Sequence, residues 1–321
     1  MTADDADATL SGLGEFAVID RLVAGRLQPP FVTLGPGDDA AVVAAADGRT
    51  VVCTDMLVEH RHFRLDWSSP HDVGRKAIAQ NAADIEAMGG RSTAFVVGFG
   101  APGGTETARA VELADGMWHE AGLMGAGIVG GDIVAAPQWV ISVAALGDLG
   151  GRAPVRRDGA RPGDTVAVCG ELGWSEAGYT LWDKGIGGFD ELRRRHLVPE
   201  PPYGQGAVAA DAGATAMTDV SDGLLADLGH IASASAVHID LAGHGLRSDV
   251  DTVAAAAEAA GTDPLQWVLG GGEDHALVAT FPAAVPPGWR VIGAVVAVGD
   301  GPPRVTVDGA PWHGNSGWQS F

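Results

Sequence analysis

The stretch TDVSDGLLADL, residues 218–228, sets three carboxylates, Asp219, Asp222 and Asp227, around a serine and a glycine, and then continues with leucines at helical spacing. Acids and serines at a helix entrance accept hydrogen bonds from its free N–H groups and suit the positive end of its dipole. Capping needs only one side chain. The other acids repel one another, in a chain whose net charge is already −21, unless a cation sits between them. A hard divalent ion with oxygen ligands is the chemistry that fits.

The same residue types recur along the chain. Acids stand beside glycine or at strand ends in GPGDDAAV (Asp38, Asp39), CTDML (Asp55), NAADIEAMGG (Asp84), VGGDI (Asp132) and GGGEDHAL (Glu273, Asp274). Each alone is ordinary turn or cap chemistry. Their recurrence points to carboxylates gathered around magnesium, which keeps several waters and is usually held by a few carboxylates plus substrate phosphates. Competing motifs are absent or misplaced. No G-x-x-x-x-G-K-[ST], zinc-type Cys/His spacing or G-x-S-x-G occurs. GAGIVG at 125–130 matches G-x-G-x-x-G only formally, because it follows a helical segment and opens none.

The elements that must position these residues follow from periodicity. Leu13, Phe16, Ile19, Leu22, Val23 and Leu27 share one helical face, so 13–27 reads as a helix. AAVVAAA, TVVCTDMLV and TAFVVGF read as strands. Pro70 opens a helix that runs to about Met88, and 105–123 forms another. GAGIVGGD and QWVISVAALGDL complete an α/β or α+β unit near residue 150, and GGRAPVRRDGARPGD is the junction. TVAVCG begins a second unit of helices, the loop VPEPPYG, the acidic motif, and the strands HALVATF and WRVIGAVVAV. The reading is an α/β (α+β) protein of two domains, 1–150 and 151–321. No internal repeat is present, and the one biased tract is the alanine run at 254–257.

Composition narrows the function. Forty-one acids against 20 bases argue against nucleic acid and an anionic membrane surface as partners. Phosphates remain possible ligands where a cation intervenes, although a solvated acidic surface accounts for most of the acids. Cys53 and Cys169 are the only cysteines, which excludes a disulfide framework and fits a reducing cytoplasm. The acidic N-terminus has no apolar core of a signal peptide, and no run reaches the roughly 18 apolar residues of a membrane helix.

In order, GPGDDAAVV, CTDMLVEHRHF, RKAIAQNAADIEAMGG, GGD, APVRRDGARPGD, DVSDGLLADLGHI, GGGEDHAL and GNSGW resemble the thiamine-monophosphate kinase family, over nearly the whole chain from Gly14 to Trp318. That family lies in the superfamily of aminoimidazole ribonucleotide synthetase and selenophosphate synthetase. The resemblance implies an N-terminal mixed-sheet domain that forms a homodimer, a C-terminal α/β domain, and ATP in the cleft. It also implies ATP-dependent phosphorylation of thiamine monophosphate to thiamine diphosphate with several Mg2+ ions. Asp39, Asp55, Asp84, Asp132, Asp219 and Asp222 match the family's magnesium ligands, with Cys53 and Thr54 where the family also coordinates metal. Gly131, Asp132, Arg157 and Ser221 match ATP contacts, and His62, Glu273 and Trp318 the substrate-binding set.

Two departures stand out. Cys53 replaces the family's usual serine or threonine, and a thiol is a poor magnesium ligand. Ile133 replaces a common threonine after GGD. No residue is assigned as general base or phosphoenzyme, which implies direct in-line transfer. Two alternatives stay open: another ATP-using member of the superfamily, and a non-catalytic sensor that binds a metal–nucleotide complex. Against selenophosphate synthetase, residues 1–50 contain neither Cys nor Lys.

Overall fold

The computed structural model describes residues 9–36, 41–299 and 301–318. Asp38 and Asp39 lie outside the described residues. The chain forms two compact units, one drawn from residues up to Ala82 plus Ser92–Asp148, the other from Ala83–Arg91 plus Leu149 onward. No helix among the described residues is long and apolar enough to cross a membrane.

The first unit contains α1 (Leu10–Leu13), α2 (Glu15–Val23), β1 (Val32–Leu34), β2 (Val42–Val43), β3 (Val51–Val58), most of α3 (Pro70–Ala87), β4 (Arg91–Ala101), α4 (Thr107–Met124), β5 (Gly127–Ala135) and β6 (Val140–Asp148). The single helix expected over 13–27 is instead two. Gly14, at φ 80°, separates α1 from α2, and extended backbone at Ala24 ends α2 at Val23. AAVVAAA contributes only the short strand β2, which pairs with β1.

Helix α3 starts with a reciprocal cap. Ser69 Oγ accepts the Asp72 N–H, while Asp72 Oδ2 accepts the Ser69 N–H and hydroxyl. GAGIVG splits between the left-handed cap of α4 at Gly125 and the start of β5, so it opens no helix.

The four-stranded sheet runs β3–β6–β4–β5, with β3 and β6 antiparallel and β4 and β5 parallel. Alternation gives it two unlike faces. One holds Cys53, Asp55 and Leu57 with Ile141, Val143, Phe95 and Val97, and it is buried against α3. Burying each such large side chain contributes roughly 1.5–3 kcal/mol, which fixes the register. Arg75 of α3 reaches the buried Glu120 of α4 at 2.7 Å. The opposite face carries Val52, Met56, Val96 and Val134, all exposed.

The second unit contains β7 (Thr165–Cys169), α5 (Trp174–Asp183), α6 (Asp190–Leu197), α7 (Gln205–Asp211), β8 (Ala216–Asp219), α8 (Leu224–Ser235), β9 (His238–Leu241), α9 (Arg247–Ala260), α10 (Pro264–Gly270), β10 (Leu277–Phe281), β11 (Arg290–Val296) and β12 (Val305–Val307). Its sheet runs β12–β9–β11–β7–β10–β8, antiparallel except for β12 with β9. Both faces are covered. Val166, Val168 and Val278 join a core with α5, α8, α9 and α10, while Ala167, Cys169 and Leu277 pack with Phe281 and Trp289. Residues 83–91 belong here for a local reason. The buried Glu86 accepts the N–H groups of Gly204 and Gly206 at 2.8 and 2.9 Å, and so caps α7. Burial lifts the Glu86 carboxyl above its usual range, against the pull of those two bonds.

Candidate active site

Strand β8 ends at Asp219, and helix α8 begins at Leu224, so TDVSDG is the turn between them. Of the three acids in TDVSDGLLADL, Asp227 does the capping. From the first turn of α8 its Oδ2 reaches back to the N–H groups of Ser221, Asp222 and Gly223, each at 3.1 Å. That leaves Asp219 and Asp222 for other work. Asp219 is buried, with Oδ2 3.0 Å from His275 Nδ1. Burial opposes the charge on His275. The bond to Asp219 and the charges of Asp219, Glu273 and Asp84 outweigh it and raise the imidazole above its ordinary value. Burial lifts the Asp222 carboxyl; His230 and Arg157 pull it down, and Asp219 pushes it up.

Three loops meet here backbone to backbone. A Cβ on Gly272 would lie 2.6 Å from the Ser221 carbonyl, and one on Gly317 would lie 2.7 Å from the Asp222 carbonyl. Glycine is required at both, which accounts for GGGEDHAL and GNSGW. Glu273 and His275 hold left-handed backbone at φ 62° and 53°, a conformation that costs roughly 1–3 kcal/mol each for non-glycine residues. The Glu273 N–H donates to Ser221 O at 2.8 Å, and the Trp318 N–H to Asp222 O at 2.9 Å. Trp318 is 55% exposed. Arg157 is exposed, and its carbonyl accepts the Ser235 hydroxyl at the end of α8. Asp84, Arg157, Asp219, Ser221, Asp222, Glu273 and Trp318 are thus gathered in the second unit.

In the first unit, Cys53 and Asp55 share the covered face of β3 and are organised by Asn81 of α3. Cys53 Sγ donates to Asn81 O at 3.4 Å, and the Asp55 N–H donates to Asn81 Oδ1 at 3.0 Å. Thr54 points to the opposite face, where its hydroxyl donates to Val143 O at 2.9 Å. Its side chain therefore does not join those of Cys53 and Asp55. Asp132 pairs with Gly98, whose Cβ position lies 3.8 Å from Ser142 Cβ, and Ser142 pairs with Met56. Asp132 is accordingly on the open face, away from Asp55. Gly131 lets β5 approach β4, since a Cβ there would lie 2.1 Å from Val97 O.

His62 follows β3 in a turn. Its Nδ1 accepts the Val58 N–H at 3.0 Å, which puts the proton of the neutral ring on Nε2. The buried Lys76 donates to its carbonyl at 3.1 Å.

Asn81, Lys76 and His275 are not singled out by the sequence. Each lies within a motif already quoted, but an Asn in a helix or a His after Glu-Asp carries no spacing signal of its own.

The donor set fits magnesium. Asp219 and Asp222 are close enough for their charges, after burial, to push Asp227 up to about 7. All are hard oxygen donors. Asp222, Asp227 and His230 also offer ligand atoms within 4.8 Å of one another. Asp227 is engaged by three N–H groups, and an imidazole suits softer metals better than magnesium, so within this group Asp222 is the better magnesium ligand.

A pH dependence follows. Burial first, with neighbouring acids for Glu176 and Asp227, pushes Glu176, Asp227 and Asp274 up to about 7 each. A carboxyl whose folded pKa is raised stabilises the fold below its unfolded value, and that contribution is lost as pH rises through the folded one. The metal-free protein should therefore melt progressively lower from about pH 5 to about pH 8. A melting temperature that is flat or rising over that window would contradict these assignments.

Comparison with known proteins defines the class first. Residues 37–149 match the family model of AIR synthase related protein, N-terminal domain. Thiamine-monophosphate kinase of Mycobacterium tuberculosis is 69% identical over 98% of this chain and 93% of its own length. The enzyme of that name from Corynebacterium glutamicum is 43% identical over 98% and 95%. A solved structure, AaThiL complexed with AMPPCP and TMP, superposes with a TM-score of 0.77 at 31% identity, covering 98% of this chain and 99% of the other. The chain belongs to the thiamine-monophosphate kinase family.

Proposed function

We propose that this protein transfers the terminal phosphoryl group of ATP to thiamine monophosphate, giving ADP and thiamine diphosphate. The observation that carries the reading is the bond from the Trp318 N–H to Asp222 O. It ties the backbone of an exposed tryptophan, a residue type suited to a heteroaromatic ring, to the loop that carries acids suited to metal and phosphate. The family relatives, and the neighbour complexed with the ATP analogue AMPPCP and with TMP, support the same assignment.

In the second unit, metal would be held by Asp84, Asp219 and Asp222. In the first, Asp39, Asp55 and Asp132 are the proposed ligands, with Asp55 and Asp132 on opposite faces of the sheet and so not on one ion, and with Cys53 and Thr54 restricted to backbone contacts. Magnesium, when bound, supplies the charge neutralisation that lets two phosphates approach. Gly131 and Ser221 would meet the nucleotide through their backbone. Arg157 contributes a permanent positive charge for its phosphates. Trp318 and Glu273 hold the acceptor's ring system, and His62 offers its Nε2–H. The acceptor oxygen is already anionic, so no general base is assigned and transfer is direct and in line.

The test is a coupled assay with ATP, magnesium and either thiamine monophosphate or thiamine as acceptor. ADP and thiamine diphosphate should appear in equal amounts with the monophosphate, and EDTA should stop both. Nucleotide binding without turnover would instead identify a sensor.

The exposed face bearing Val52, Met56, Val96 and Val134 is proposed to pair with a second copy, in a protein placed in the cytoplasm. An exposed sheet face carrying several large apolar side chains is a common interface, and two-fold pairing the commonest assembly. Light scattering should give twice 32.6 kDa; a value at 32.6 kDa would exclude the dimer.

A further inference from the structure

His196 of α6 is buried, and its Nδ1 lies 3.2 Å from Ser175 Oγ and 3.6 Å from Glu273 Oε2. The Tyr179 ring meets the imidazole edge-on, with centroids 5.4 Å apart, and fixes its plane. On the first turn of α5, Glu176 packs along the loop that carries Glu273, because a Cβ on Gly271 would lie 2.7 Å from Glu176 Cβ. Among the described residues the Glu176 carboxyl makes no hydrogen bond or ion pair. Its neighbour Asp274 differs, accepting the N–H groups of Gly173 and Ser175. The charge of Glu273 adds to burial in lifting the Glu176 carboxyl.

Glu273 therefore has the His196 imidazole 3.6 Å from its carboxylate and a second acid, Glu176, packed on the adjoining loop residue Gly271. Its backbone is fixed by the bond to Ser221 O, so only its side chain can turn away from Glu176. We infer that His196 is a positioning residue, holding the Glu273 carboxylate beside Glu176 so that two acids face the cationic ring system of the acceptor. This rests on Glu273 being an acceptor contact, as proposed above. The arrangement supplies selectivity: a cationic thiazolium relieves the repulsion between the acids, and a neutral analogue does not.

The test measures KM for both substrates. His196→Ala should raise the acceptor KM about tenfold and leave the ATP KM within about twofold. His196→Asn should recover most of the loss, because its amide stands near the position of Nδ1. Adding Glu176→Gln to His196→Ala should also restore acceptor KM, since the repulsion His196 opposes is then gone. Equal rises in both KM values, or no recovery in either variant, would reduce His196 to packing. If His196→Ala loses its native melting transition, His196→Gln, which keeps the bulk and moves the donor, must show the same selective rise or the proposal falls. Glu273→Gln separates the two levels. If it leaves the acceptor KM unchanged, the acceptor reading of Glu273 is wrong. If it raises that KM while the His196 variants do not, only the positioning role is lost.

Discussion

Asp222→Asn is expected to lower kcat by about three orders of magnitude, while the metal-free variant melts at or above the wild-type temperature. The loss of rate follows from removing a charged ligand at the point where phosphate charge must be stabilised, the scale found when preorganised electrostatic groups are deleted. The stability result follows from the sign of its shift. Burial raises the Asp222 carboxyl above its ordinary value, so near neutral pH the ionised side chain costs the fold free energy, and asparagine removes that cost. Melting in EDTA and turnover in magnesium measure the two arms. A variant that melts lower and still turns over would make Asp222 a structural acid.

Asp219→Ala should do the opposite in EDTA. It removes one partner of a buried pair and strands His275, a loss of about 3 kcal/mol, or roughly 6–12 °C in melting temperature. Asp219→Asn keeps an acceptor for His275 Nδ1 and should melt between the two. Read from sequence, Asp219 is one more acid of a metal cluster, whose removal should relieve repulsion. The contact with His275 at 3.0 Å changes that expectation. Unchanged melting of Asp219→Ala in EDTA would show that the pair contributes nothing.

The contrast between these two acids marks how far sequence reaches. Periodicity places β3, α3, β7, β10 and β11 closely, because strand alternation and a Ser-Pro helix start are local signals; β8 carries no such signal of its own. It cannot rank Asp219, Asp222 and Asp227, which are the same residue type within nine positions. Their roles depend on which carboxylate meets three N–H groups and which meets a histidine 56 residues away. Thr54 and Asp132 show a second limit. Motif order joins them to Asp55, whereas period-two alternation and the β4–β5 register put them on the other face of the sheet. The alanine run at 254–257 reads as composition alone, yet it lies in α9, where Ala256 and Ala257 are buried in the core. Glu176 and His196 carry no motif, and only the packing of α5 and α6 brings them to Glu273.

The most direct test of the account follows the phosphoryl group itself. ATP carrying radioactive phosphorus in its terminal group is mixed with excess protein, magnesium and thiamine monophosphate, and quenched within one turnover. Direct transfer predicts label in thiamine diphosphate that grows as ATP label falls, with none on the denatured protein at any time. Label retained on the protein, or released only as inorganic phosphate, would contradict it.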